Sequence, residues 1–162
     1  ETIKEKGYNC DLNFIDTSHI KDMSYLFTDS KFNGDISKWD VSNVENMSSM
    51  FFRSKFNGII SKWDVSKVKK MNYMFEYSQF NNIISNWNIS KVEDMCCMFK
   101  DSKFNQDISK WNVSKVEDME GMFWGSIFKG DISKWNVSNV KNMRNMFVDS
   151  PLENKPPKWY KD

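Results

Sequence analysis

Side chains able to do covalent or acid–base chemistry are sparse in this sequence. Its one histidine, His19, lies in an atypical opening segment. No Gly-rich phosphate loop, HExxH or GxSxG string is present. Asp35, Asp107 and Asp131 share one position of a repeating pattern. Stacked repeats would set Asp107 beside Asp131, as in a cation site or an acid pair. Ile59 and Ile83 hold that position in the intervening copies, which favours a solvated face. Another acidic series follows successive tryptophans: Asp40 and Asp64, then Asn88, Asn112 and Asn136. A catalytic carboxylate would not survive exchange for an amide, which cannot transfer the proton. A hydrogen-bonding corner would. Cys10, Cys96 and Cys97 lack the CxxC spacing and histidine partners of a zinc site, and the adjacent pair reads as variable surface thiols. These residues point to no enzyme, metal or cofactor.

The spacing carries more information than the residue types. Trp39, Trp63, Trp87, Trp111 and Trp135 are 24 residues apart, and Trp159 falls on the same grid. Phe32, Phe56, Phe80, Phe104 and Phe128 open the corresponding units, and Leu152 continues the series. A repeat of this period signals a stacked array. The chain divides into a partial unit (1–31), full units 32–55, 56–79, 80–103, 104–127 and 128–151, and a capping fragment (152–162). Together they make one repeat domain over 1–162.

Each unit reads FNxDISKW(D/N)VSxVxxMxxMFxxS. Ser42 with Glu45, Ser90 with Glu93 and Ser114 with Glu117 have the spacing of capping boxes. Val44, Met47, Met50 and Phe51 fall within about 120° of a helical wheel. The second half of the unit is therefore expected to be a short helix, with Ser48, Ser49 and Phe52 facing out. The Asp-Ile-Ser segment suits a short strand with Ile36, Ile60, Ile84, Ile108 and Ile132 inward. One short parallel strand and one short helix per 24-residue repeat give an α/β solenoid, coiled right-handed like a leucine-rich repeat. The Trp, Phe, Met and Ile columns would be its interior.

If the repeated residues are scaffold, a site is expected where the repeat is broken. Ile59 and Ile83 replace Asp on a predicted outward face and should lie side by side, a candidate contact patch. Phe52 and Trp124 follow the Met-Phe pair where other units carry Glu76, Lys100 and Val148, and are candidate partner anchors. On the outer helix face Glu93, Asp94, Glu117, Asp118 and Glu120 would form an acidic patch two units tall. Lys69 and Lys70 are expected to pair with Glu93 and Asp94, and Lys141 and Arg144 to close the far side.

The 162 residues carry a net charge of +1 with both signs mixed throughout, which disfavours nucleic acid as a partner. No apolar run is long enough to enter a membrane. The opening ETIKEKGYNC, without an initiator Met, reads as part of a longer protein.

FNGDISKWDVSNVENMSSMF and FNQDISKWNVSKVEDMEGMF resemble the repeat of mycoplasma surface lipoproteins of unassigned function and of BspA-like leucine-rich-repeat surface proteins. The likeness covers roughly residues 8–150. It implies a leucine-rich-repeat-like fold displayed at a cell surface or secreted, and relatives in large viruses leave a virion or cytoplasmic setting open. A cysteine common near the end of the family repeat is Ser here. The family offers no shared catalytic residue. The expectation is a non-enzymatic recognition module for adhesion or protein–protein interaction, binding a protein or glycan. The rival is a structural element that packs against copies of itself or other subunits.

Overall fold

The computed structural model of the chain describes residues 2–161. Among them the only α-helix is α1, Thr2–Lys6, and no extended strand forms. Pairing is confined to isolated parallel bridges, Asp11 with Asp35 and the series Asp22, Asn46, Lys70, Asp94, Asp118, Asn142. The expected α/β solenoid, with one strand and one helix per unit, is therefore not the structure. Each 24-residue unit is a rung of successive turns, hydrogen-bonded to the rungs on either side.

The segment expected to be helical shows why. Ser49 and Arg53 are left-handed, at φ 56° and 53°, and Tyr73, Tyr77, Cys97, Asp101, Gly121 and Gly125 repeat this in later rungs. A left-handed residue every fourth position is incompatible with a right-handed helix. The backbone instead makes overlapping turns, with Met50, Phe52 and Ser54 N–H donating to the carbonyls of Met47, Ser49 and Phe51. The alternate N–H groups of Met47, Ser49, Phe51 and Arg53 point to the next rung and donate to the carbonyls of Lys70, Asn72, Met74 and Glu76 at 2.9–3.0 Å. The carbonyls of Asn46, Ser48, Met50 and Phe52 accept from the rung before. Side-chain facing survives the change of backbone: Val44, Met47, Met50 and Phe51 are all buried, but so are Ser48 and Ser49, which a helix would have exposed.

The capping boxes disappear with the helix. Ser42 N–H donates to Asp40 Oδ1 at 3.0 Å, and Ser66, Ser90, Ser114 and Ser138 do the same to Asp64, Asn88, Asn112 and Asn136. These are the Asp/Asn corners expected from the repeat. Glu45 and Glu117 reach across rungs to lysines instead of back to a cap.

The Asp-Ile-Ser segment does not pair as a strand beyond the first rungs, where Asp35 N–H meets the Cys10 carbonyl and Leu12 N–H the Asp35 carbonyl. Farther along, asparagine amides stand in for backbone carbonyls. Asn33, Asn57 and Asn81 Oδ1 accept from the N–H of Asn57, Asn81 and Asn105 at 2.7–2.8 Å, and Asn105 Oδ1 accepts from Lys129. Ser54, Ser78, Ser102 and Ser126 hydroxyls accept from the N–H two residues on, fixing the entry into each Phe.

Inside the stack a middle rung buries eight apolar side chains, such as Phe56, Ile60, Trp63, Val65, Val68, Met71, Met74 and Phe75. Fully burying an aliphatic or Phe side chain contributes about 1.5–3 kcal/mol, so each rung is held chiefly by this filling. Phe51, Phe75 and Phe99 stack nearly parallel at 5.6–5.8 Å, and Phe56, Phe80 and Phe104 do so at 6.3 Å. Every tryptophan on the grid donates its indole N–H to a carbonyl of the preceding rung: Trp39 to Leu12, Trp63 to Ile36, Trp87 to Ile60, Trp111 to Ile84, Trp135 to Ile108 and Trp159 to Ile132. A buried indole needs such a partner, and the rung spacing supplies one at every step. At the C-terminal end Trp159 stacks on Trp135 and Tyr160 meets Phe147 edge-on.

Candidate functional site

The repeated residues are consumed by the stack, so attention falls on the positions that break it. Ile59 and Ile83 stand at the same position of neighbouring rungs, 65% and 55% exposed. Beside Ile59 runs a groove of about 570 Å³ lined by Asn33, Gly34, Asp35, Lys38, Gly58 and Lys62, among others. Its two glycines stand where a Cβ would meet the Cys10 carbonyl or the Phe56 ring. In the next two rungs that position carries Asn82 and Gln106, whose amides fold back onto the Asn57 carbonyl and Asn81 Oδ1. The groove thus joins an apolar wall to a carboxylate and two lysines.

Phe52 and Trp124 belong to one column, Phe52, Glu76, Lys100, Trp124, and are half-buried rather than outward. Phe52 meets Tyr77 edge-on at 6.2 Å, with the Arg53 guanidinium over both rings at 5.1 and 5.5 Å. The Lys100 ammonium lies 4.4 Å above Trp124 and 3.7 Å from the Glu76 carboxylate. Burial pushes Glu76 above the usual glutamate range, with Lys100 opposing. Both aromatics are therefore engaged by neighbours within the stack.

The acidic residues fall where the repeat places them, but their pairing differs from expectation. Lys69 binds Glu45 of the preceding rung at 2.7 Å, not Glu93, and Lys141 binds Glu117 at 2.6 Å. Asp118 and Glu120 both accept from the Asn142 amide, at 3.3 and 2.8 Å. Glu93 is exposed and has no ion pair among the described residues. Asp94 and Asp118 adjoin in the bridge column. Burial lifts Asp94 above the usual aspartate range, and the Asp118 charge adds to it while the Cys96 N–H opposes.

Asp35, Asp107 and Asp131 each accept the N–H two residues on, from Ser37, Ser109 and Ser133. Those serine hydrogen bonds hold all three carboxyls below their ordinary range, the wrong direction for a proton donor. They are turn formers. The expectation of surface thiols needs correction for Cys97, which is buried, while Cys96 is partly covered. Sequence reasoning also missed the exposed Tyr25, Tyr73 and Tyr77. Tyr25 and Tyr73 share the Ser49 column, which a helical wheel also sets outward, so their exposure was readable from the repeat alone.

Rungs of stacked turns around aromatic and methionine columns define a repeat protein. A family model matches residues 3–79 and again 54–159. The chain belongs to that family, described as Mycoplasma protein of unknown function, DUF285. No curated protein and no solved structure matches the chain. No helix among the described residues is long and apolar enough to cross a membrane.

Proposed function

We propose that this chain is a non-enzymatic recognition module, displayed at a cell surface, that engages a protein or glycan through the face bearing Ile59 and Ile83. The observation that carries the reading is the exposed isoleucine pair, of which Ile59 lines the groove at Gly34 and Gly58. An apolar wall with charged groups at its margin suits a partner that offers both apolar and polar contacts. The resemblance to BspA-like surface proteins supports display and adhesion; it no longer extends to a strand-and-helix unit. Glu93, Asp94, Glu117, Asp118 and Glu120 would steer a basic region of the partner toward the same molecule.

A second reading, self-association, is favoured by the ends of the stack. The N–H groups of Met143, Asn145, Phe147 and Asp149 find no acceptor among the described residues, and neither do the carbonyls of Asp22, Ser24, Leu26 and Thr28 find a donor. These are the complementary halves of the inter-rung ladder. Light scattering on wild type and on Ile59→Asp/Ile83→Asp separates the readings. A monomer in both supports an external partner, an oligomer lost on substitution places assembly at the isoleucine face, and an oligomer that survives it points to end-to-end stacking.

A further inference from the structure

Cys96 and Cys97 are consecutive, yet their sulfurs lie 3.7 Å apart. The left-handed backbone at Cys97, φ 53°, accompanies this unusual approach of neighbouring side chains. The next rung leaves room for the second sulfur, because a Cβ at Gly121 would stand 3.1 Å from it. From the rung before, the Tyr73 hydroxyl lies 3.6 Å from the Cys96 sulfur. Cys96 is partly exposed and Cys97 is buried, so a reachable thiol is backed by a sheltered one. The sulfur–sulfur hydrogen bond between Cys96 and Cys97 holds the Cys96 thiol below the ordinary range, with help from Tyr73 and against burial, Asp118 and Asp94. The same contact pushes Cys97 far upward, as does its burial. Other rungs carry Ser48-Ser49, Asn72-Tyr73, Glu120-Gly121 and Arg144-Asn145 here, so the pair is peculiar to one rung.

We propose that Cys96–Cys97 is a thiol–disulfide exchange site that favours small cationic disulfides. The Cys96 thiolate attacks one sulfur of the disulfide RSSR, forming a mixed disulfide and expelling one thiolate, which takes up the proton lost from Cys96. Cys97 then attacks the Cys96 sulfur, displaces the second RS group and gives it its own proton. Two protein thiols are oxidised to one disulfide, and one external disulfide is reduced to two RSH. A lowered thiol at the accessible position is the feature that makes such exchange site-selective. Consecutive Cα atoms are about 3.8 Å apart across a trans peptide, shorter than the roughly 4.4–6.8 Å of a relaxed disulfide. The bond between neighbours is therefore strained and readily reduced again.

Charge sets the selectivity. Cys96 N–H donates to Asp94 Oδ1 at 3.0 Å, Asp118 lies one rung on, and Cys97 N–H binds the Glu120 carbonyl. The nearby opposing charges are Lys70, beside Asp94 in the bridge column, and Lys100, which is paired with Glu76; Asp94, Asp118, Glu76 and Glu120 outnumber them. A net negative field attracts a cationic reagent and repels an anionic one.

The test treats the intact, reduced chain with cystamine, neutral hydroxyethyl disulfide and anionic glutathione disulfide at matched concentration, followed by intact mass and peptide mapping. Loss of two hydrogens mapped to Cys96–Cys97 is expected, with cystamine faster than glutathione disulfide by roughly tenfold at low salt. That ratio should shrink as salt is added. Cys97→Ser should stop at a mixed disulfide on Cys96, and Cys96→Ser should leave Cys97 slow to react. Serine occupies both positions at Ser48-Ser49, so these variants introduce a side chain that another rung already accommodates. Equal rates for Cys10, Cys96 and Cys97, a faster anionic reagent, or first attack by Cys97 would overturn the proposal.

Discussion

Replacing Trp87 by Phe tests whether the tryptophan column is interior filling or a binding device. Trp87 is 4% exposed, and its indole N–H donates to the Ile60 carbonyl at 3.1 Å. Phenylalanine removes that donor and part of the ring volume. The Ile60 carbonyl still accepts from Trp63 N–H, so no acceptor is orphaned and the hydrogen-bond loss stays near its net worth, about 1 kcal/mol. Complete truncation of a buried Trp costs about 3–5 kcal/mol. The missing half of the ring system then adds roughly 1–2 kcal/mol. A total of about 2–3 kcal/mol corresponds to a fall in Tm of roughly 4–12 °C for a chain of this size. Differential scanning calorimetry of wild type and variant reads it directly. The same substitution at Trp159, which is only partly buried, should shift Tm less. A Trp87→Phe protein whose Tm stays within 1 °C of wild type (under about 0.5 kcal/mol) would refute the interior reading.

Two further outcomes follow from the ladders. Asn81→Ala removes the acceptor of Asn105 N–H and of the Gln106 amide and should cost about 1 kcal/mol in urea unfolding; Asn81→Asp, which keeps the oxygen, should cost less. The corner aspartates contribute to acid stability, because hydrogen bonds from Ser42 and Ser66 hold Asp40 and Asp64 below the ordinary range. Their contribution is complete above the unfolded aspartate value, about 3.9, and is lost as pH falls through the lower folded values. Asp40→Asn/Asp64→Asn should therefore flatten the loss of stability below about pH 4 in a thermal melt series. Asn88, Asn112 and Asn136 already fill this corner. Glu76 and Asp94 act in the opposite sense, since burial raises both: their contribution is present at low pH and lost as pH rises through the folded values.

Much of the interior was legible in the sequence, and the backbone was not. A 24-residue period with Trp, Phe, Ile and Met at fixed places identifies which side chains meet, and nearly all of them are buried. The helix inferred from Val44, Met47, Met50 and Phe51 failed because spacing by three and four also satisfies a run of overlapping turns. What separates the two is a left-handed residue at Ser49 and Arg53, types that carry no glycine signal; only Gly121 and Gly125 hinted at it. The strand inferred at Asp-Ile-Ser failed for a related reason. Asn33, Asn57, Asn81 and Asn105 supply side-chain carbonyls that replace the backbone pairing, while parallel bridges form at Asn46, Lys70 and Asp94, where a helix was expected. At the surface, the exposure of Ile59 and Ile83 was readable because they stand in a column that carries aspartate in other rungs. Phe52 and Trp124 are half-buried rather than outward because their neighbours Arg53, Tyr77 and Lys100 come from the left-handed turns and the adjacent rung.

Repeated residues build the stack, and recognition is proposed to lie where the repeat is broken. Binding of the labelled chain to an array of extracellular proteins and glycans, compared with Ile59→Asp/Ile83→Asp at matched circular dichroism and Tm, tests it most directly. A ligand bound by wild type should be lost by the variant while its fold is unchanged. Undiminished binding by the variant would contradict it.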